Sequence, residues 1–319
     1  MILDQWKSEG MDVTISYLPV WELCYSMHVL SEPDHHLYRR KWSKRVEEEF
    51  PDLVKRIRDY SEVTCQWTLF IDVPVWSEMR QMEIPEFFAF LWKKEIFWWN
   101  QAAETLGKKL TSLERRDILG IFQDYYEQIF RREEMILRAY LVRVLERERE
   151  FCVEHGVWEW CKTIHERMRV EETQVRYLKN RDFVYQKKDI RRIYLTASTF
   201  LEPHLWLYQH DTELEVVKSI RVEQPEDYHL PEQTVLVFKA LGDRSRLNIV
   251  RLLFRGVKTT QELAAKLGLS EAAVSKHLKI LSEAKLVKKK ASGHYMEYTL
   301  NTEVVDFIPY TFYEMLTRF

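Results

Sequence analysis

Apolar residues recur at intervals of three and four along much of the first half of the chain. Leu53, Ile57 and Tyr60 fall on one such stripe, and Ile118, Ile121, Phe122 and Tyr125 on another, the period of an amphipathic helix. The pattern predicts helices from about residue 21 to residue 179. Thr111 followed by Glu114 is a capping-box signature that starts a helix at Ser112. Pro51 and Pro85 suit the first turns of two others, where the missing amide hydrogen has no helical partner to lose. Residues 130–151 are rich in Arg and Glu around a narrow stripe of Met135, Ile136, Tyr140, Leu141, Val144 and Leu145, which predicts a helix with a solvated, ion-paired face.

Near Asp182 the texture changes. Residues 190–199, 205–209 and 214–222 are rich in β-branched and aromatic side chains and are separated by Pro203 and by His210-Asp211-Thr212. They read as short strands of a small sheet that closes an N-terminal domain over residues 1–228. Pro225-Glu226-Asp227 and Pro231 break the pattern, and a second domain follows over residues 232–319.

The second domain reads as helix 233–241 ended by Gly242, helix 244–254 capped by Asp243, a short helix 261–267 capped by Thr259 or Thr260, and helix 271–284 capped by Ser270. Gly268-Leu269 is the turn between the last two. Two amphipathic helices across a short glycine turn are the helix-turn-helix signature, with Leu263, Leu267, Val274, Leu278 and Leu281 as the clamp between them. Segments 286–291 and 294–300 flank Ser292-Gly293 and predict a hairpin, the wing of a winged helix. The fold class expected is therefore mainly α: a helical N-terminal domain with a small β-sheet, then a winged helix-turn-helix.

Composition sharpens this picture. Hydrophobic residues make up 46% and charged residues 31% of the 319, enough apolar side chain for sizeable cores. Eleven tryptophans end at Trp206, so bulky aromatic packing, or an aromatic pocket for an apolar ligand, belongs to the first domain. Four cysteines are too few for a disulfide framework. Met1–Lys7 has no basic run followed by an apolar core, and the apolar stretch 87–99 is interrupted by Lys93, Lys94 and Glu95. No secretion signal or membrane span is expected, and the location expected is cytoplasmic. Residues 232–319 carry 14 Lys and Arg against 9 Asp and Glu, a net +5 within a chain whose total is −2. A basic end on an acidic body suits a module that binds double-stranded DNA.

On the helix 271–284, Ser270 offers a hydroxyl and free amides, and Ala272 and Ala273 are small enough to let the helix into the major groove. Ser275 and His277 are expected at base edges, Lys276 and Lys279 at the backbone, and Lys288, Lys289 and Lys290 of the wing at phosphates. Thr259, Thr260, Glu271 and His294 complete the expected DNA-facing set.

The first domain holds one spacing with metal-ligand chemistry, Cys152-x2-His155 and Cys161-x3-His165, two thiols and two imidazoles that could form a tetrahedral site. One face of a helix would give the same spacing with no ligand role, and zinc fingers separate their ligand pairs by a longer loop; no metal is therefore assigned. Asp34-His35-His36 is expected to be a loop that caps a helix near Leu37. No phosphate-binding glycine loop, Gly-x-Ser-x-Gly elbow or HExxH is present, so neither an enzyme nor a cofactor is expected. An enzymatic or metabolite-binding first domain tethered to DNA is the alternative.

Residues Phe238 to Leu247, Glu262-Leu263-Ala264, and above all Leu269-Ser270-Glu271-Ala272-Ala273-Val274-Ser275-Lys276-His277-Leu278-Lys279-Ile280-Leu281 resemble the ArsR family of bacterial winged-helix repressors. The resemblance covers about the last quarter of the chain. It implies a homodimer, formed partly by the first and last helices of the module, on a two-fold operator. Metal sensors of the family often carry Cys-x-Cys on the helix before the turn; the matching positions here are Ala264 and Lys266. The stretch from Thr302 to Phe319 has no His or Cys. A small-molecule effector would therefore act through the first domain.

Overall fold

The chain begins with a hairpin where no strand was expected. Strands β1 (Ile2–Ser8) and β2 (Met11–Ser16) pair antiparallel across Glu9-Gly10, which take φ of 50° and 81°, the left-handed turn that matches strand twist. Helices follow: α1 (Pro19–Ser31), α2 (Arg40–Glu49), α3 (Pro51–Asp59), α4 (Trp76–Met79), α5 (Ile84–Lys93), α6 (Ile96–Glu104), α7 (Ser112–Tyr125), α8 (Arg131–His155) and α9 (Val157–Lys162). The computed structural model describes residues 1–71, 76–165, 167–178, 182–222, 232–293 and 295–317. Backbone contacts divide the chain into two compact units, Met1–Pro225 and Glu226–Phe319.

Local signals set several boundaries. Pro51 and Pro85 sit in the first turns of α3 and α5. Thr111 Oγ1 accepts the Glu114 amide at 3.2 Å while the Glu114 carboxylate accepts the Thr111 amide at 2.7 Å. Gly156, at φ 95°, separates α8 from α9, a backbone conformation that favours glycine.

The helical expectation fails after α9. Strands β3 (Met168–Val170), β4 (Gln174–Leu178) and β5 (Asp182–Gln186) form an antiparallel sheet, because Val170, Val175 and Tyr177 favour a pleated surface over a helix. Strands β6 (Arg192–Ser198), β7 (Trp206–His210) and β8 (Glu213–Ser219) lie where the β-branched runs place them. They join the N-terminal hairpin in one five-stranded sheet of order β1-β2-β6-β8-β7, with β6 parallel to both β2 and β8. Rows Val13–Ile193–Leu214 and Ile15–Leu195–Val216 cross the three central strands, and all six side chains are buried. The sheet is thus the middle of the unit.

Helix α8 packs against β1, β2 and β6. Its buried positions are Glu133, Glu134, Leu137, Leu141, Val144, Leu145 and Cys152, whereas Met135 is exposed. The inward face is therefore rotated from the expected stripe by two buried carboxylates. Glu133 meets Arg39 at 3.4 Å, and Glu134 takes Arg138 at 2.7 Å, which offsets their desolvation. Arg39 also donates to the Thr199 carbonyl and hydroxyl and lies 4.0 Å over the Phe200 ring. Glu22, wholly buried on α1, accepts the Thr199 amide and hydroxyl at 3.2 and 2.9 Å; burial pushes its carboxyl up to about 7. Glu215 on β8 accepts Trp76 Nε1 at 3.0 Å and is likewise pushed up to about 7 by burial.

Most of the tryptophans are core. Trp21 stacks on Tyr25 at 4.8 Å and meets Trp206 edge-on at 4.5 Å. Phe70, Phe87, Trp99 and Phe122 form a second buried aromatic group. Trp92 and Phe97 are exposed.

The second unit runs α10 (Glu232–Leu241), α11 (Arg244–Leu253), β9 (Lys258–Thr259), α12 (Thr260–Leu267), α13 (Glu271–Glu283), β10 (Val287–Ser292), β11 (Tyr295–Leu300) and α14 (Thr302–Thr317). Its core joins Ile249, Leu253, Leu263, Val274, Leu278 and Leu281 with Leu286 and Val287, and Tyr298 and Leu300 pack against it. The three strands form a sheet of order β10-β11-β9. This is a winged helix-turn-helix.

Candidate nucleic-acid interface

Each helix of the helix-turn-helix starts on a side-chain cap that the sequence supplies. Asp243 Oδ1 accepts the Arg246 amide at 2.9 Å. Thr259 and Glu262 close a capping box, with Thr259 N–H donating to the Glu262 carboxylate at 2.7 Å. Ser270 Oγ accepts the Ala273 amide at 3.2 Å. Between α12 and α13, Gly268 takes φ 64° and ψ 33°, a left-handed C-cap that turns the chain sharply.

These restraints fix which face α13 shows to solvent. Val274, Leu278 and Leu281 are buried in the core. Glu271, Ala272, Ser275, Lys276 and Lys279 are exposed and Ala273 is half-buried, so five of the expected residues share the outward face. His277 does not. Its side chain is 22% exposed and its Nδ1 lies 3.8 Å from Asp243 Oδ1. A position between buried Val274 and Leu278 turns the ring towards the α11 cap, away from the five exposed side chains. Asp243 is held below the usual carboxylate range by the Arg246 amide, with help from the Arg246 guanidinium and His277. The hydroxyls of Thr259 and Ser270 are likewise spent on caps, although Ser270 remains exposed. Thr260 is half-buried.

Register splits the wing lysines. Lys288 pairs with Thr299, Lys289 with Tyr298 and Lys290 with Glu297. Successive side chains alternate faces, so Lys288 and Lys290 share one face and Lys289 shares the other with Val287 and Tyr298. All three are exposed, and Lys288 lies 3.6 Å from Glu303. His294 lies outside the described residues.

No three of Cys152, His155, Cys161 and His165 bring ligand atoms together among the described residues. Cys152 and Cys161 point into the core, where burial pushes both thiols up, Cys152 to about 12. His155 turns outward and stacks on Phe151 at 4.5 Å, and His165 Nδ1 accepts the Arg167 amide at 3.0 Å. The two thiols face the core and the two imidazoles do not, so the spacing brings no ligand set together. His28, His36 and His204 do converge, each with a ring nitrogen within 4.8 Å of the others'. His36 follows the turn at Pro33–His35 expected from sequence, but it is fully buried, and burial together with His28 pushes its imidazole down to about 3. The His35-His36 pair was the one visible signal of this group.

Among the described residues no helix is long and apolar enough to cross a membrane. Residues 243–289 match the family described as bacterial regulatory protein, arsR family. The chain is 36% identical over 69 residues to the transcriptional repressor SdpR of Bacillus subtilis, a match covering 22% of this chain and 77% of that protein. It is 37% identical over 92 residues to a transcriptional repressor SmtB homolog of Synechocystis, covering 28% and 70% respectively. The arsenical resistance operon repressor of Bacillus subtilis is 39% identical over 70 residues, covering 22% and 67%. Among solved structures, reduced HlyU from Vibrio cholerae is similar over 27% of this chain and 87% of its own, with 33% identity and a TM-score of 0.23.

Proposed function

This chain belongs, through its second unit, to the arsR family of bacterial regulatory proteins and is a DNA-binding regulator, and we propose that it acts in the cytoplasm as a repressor, binding a two-fold operator as a homodimer. The observation that carries the reading is the outward face of α13. It offers small and polar side chains, Ala272 and Ser275, flanked by Lys276 and Lys279, on a helix whose other face is locked in the core. Such a helix can enter the major groove with Ser275 at base edges and its lysines at phosphates. The wing adds cations beside it. Phe238 on α10 and Phe312 on α14 are each 39% exposed with rings 5.8 Å apart, an apolar surface that supports pairing of two copies through the first and last helices of the unit.

An effector, on this reading, acts through the first unit. Ala264 and Lys266 stand where family sensors carry thiolates, and any ligand must bind the DNA-competent and released arrangements with different affinity. No motif favours an enzyme over a regulator.

Selection of bound duplexes from a random pool tests the function. The full chain should enrich an inverted repeat with half-sites about one helical turn apart. Ser275→Ala should relax preference at one position per half-site, by about 1 kcal/mol or roughly fivefold. A pool with no repeat, or an identical pool from the variant and from Lys279→Ala, would overturn the assignment of α13 as the reading helix.

A further inference from the structure

The three histidines of the first unit come from well-separated parts of the chain. His28 sits in the last turn of α1, His36 follows the turn after it, and His204 lies in the loop between β6 and β7. His28 and His36 are buried and His204 is half-buried. Their arrangement is defined by what the rings touch.

His28 Nδ1 lies 3.0 Å from the Gln66 carbonyl oxygen, and His36 Nδ1 lies 2.8 Å from the Glu202 carbonyl oxygen. A carbonyl can only accept, so in both rings Nδ1 carries the proton and Nε2 keeps its lone pair. Backbone carbonyls that fix a ring through one nitrogen and leave the other basic are the usual outer support of metal-binding imidazoles. His36 Nε2 is buried and has no hydrogen-bond partner. A lone pair left bare in the interior carries a desolvation cost with no return unless something binds it.

The distances fit a small cation. Nε2 of His28 and Nε2 of His204 are 3.4 Å apart, and two nitrogens on one tetrahedral zinc, each at about 2.0–2.1 Å, stand about 3.4 Å apart. All three ligand atoms lie within 4.8 Å of one another, so the third nitrogen need close by no more than about 1.4 Å to complete the same tetrahedral face. His35, exposed, places its ring 4.9 Å from that of His204 and 5.4 Å from that of His36. The half-buried loop carrying His204 is the side from which an ion could enter.

We propose that Nε2 of His28, Nε2 of His36 and a ring nitrogen of His204 bind a first-row divalent transition metal, with zinc the best fit, and leave a fourth position for water or an exogenous ligand. Neutral imidazoles select such ions over calcium and magnesium, which take oxygen. The absence of a carboxylate from the trio leaves the complex dicationic, and so attractive to an anionic fourth ligand. This site is separate from the DNA-binding reading and stands or falls without it.

The test is metal titration of the full chain after chelator treatment, with zinc and with cobalt(II), whose visible spectrum reports coordination number and thiolate ligands. One equivalent should bind, with a four-coordinate cobalt spectrum lacking a sulfur charge-transfer band. His204→Gln, on a half-buried loop, and His36→Gln should each weaken binding at least a hundredfold, while Cys152→Ser leaves it unchanged. Far-UV circular dichroism checks that the variants are folded, and zinc should raise the thermal midpoint of the wild type but not of His204→Gln. No saturable binding at micromolar zinc, a sulfur band, or full affinity in folded His204→Gln would each refute the site.

Discussion

The wing offers a quantitative check on how the second unit holds DNA, because strand register limits how many of its lysines can work together. Val287, Tyr298 and Leu300 pack towards the core of the unit, so the face of β10 that carries Val287 and Lys289 looks at the body of the domain. Lys288 and Lys290 occupy the outer face. A phosphate backbone laid along that face can therefore meet two of the three cations. The ion pair of Lys288 with Glu303 does not prevent this: both side chains are more than half exposed, and such pairs contribute about 0–1 kcal/mol. Each phosphate neutralised on duplex DNA steepens the dependence of log K on log salt by about 0.9. The double variant Lys288→Ala/Lys290→Ala should then flatten the slope by about 1.8 per protomer, or about 3.6 for a two-fold dimer. Between 50 and 200 mM salt that difference amounts to roughly a hundredfold in affinity. Lys289→Ala should change the slope by less than about 0.5. Fluorescence anisotropy on the selected operator and on a scrambled duplex, at four salt concentrations, measures the wild type, the double variant and the single variants Lys288→Ala and Lys289→Ala. Equal flattening by Lys289→Ala and Lys288→Ala would show instead that the wing meets DNA edge-on, with both faces of β10 at phosphates. A double variant weakened only on the operator would instead move these lysines from phosphate to base contacts.

Two further predictions concern stability. Glu22, buried and raised to about 7 against an ordinary 4.5, favours the folded chain while protonated, and that contribution is lost as pH rises through about 7. The difference in unfolding free energy between wild type and Glu22→Gln should therefore change by about 3 kcal/mol from pH 4.5 to 8, in favour of the variant at high pH. Since His36 acts in the opposite sense below its ordinary pKa, the difference curve is the readout. Because all eleven tryptophans precede the second unit, their fluorescence in urea reports the first unit alone; a flat curve would mean that Glu22 is ionised in the fold. In the second unit, Asp243→Ala removes the cap on the Arg246 amide and the partner of His277, and should cost about 1 kcal/mol. Amide exchange in the first turn of α11 checks it, and unchanged protection there would contradict the role of the cap.

The winged helix was legible because its signals are local. Asp243, Thr259 and Ser270 each bond an amide three residues on, and Gly268 turns the chain by itself, so identity and spacing within a few positions carry the geometry. Thr111 with Glu114 worked in the same way in the first unit. The strands β6, β7 and β8 were visible from their own composition. The hairpin at the N-terminus was not: β1 is an edge strand with a mixed, half-exposed pattern, and Glu9-Gly10 is a weak turn signal, so the short alternation of Met11, Val13 and Ile15 after it had no matching strand before it.

What escaped the sequence was set by partners far along the chain. His277 looks like an outward-facing residue by its place in the motif, and only the packing of α13 against the cap of α11 leaves it half-buried beside Asp243. Glu133 looks like a solvated position on an Arg- and Glu-rich helix, yet it faces inward because Arg39, almost a hundred residues earlier, supplies the charge that makes burial tolerable. His28 and His204 touch across 176 residues. In each case an apolar count assigns the residue to the wrong environment, since the decisive quantity is a polar contact between elements that periodicity treats separately. An amphipathic stripe tells which face of a helix is inside when the inside is hydrocarbon. It fails where the interior is wired by charge and imidazole, and in this chain such wiring concentrates in the first unit, around the segment from Glu22 to Arg39 and the loop from Thr199 to His204.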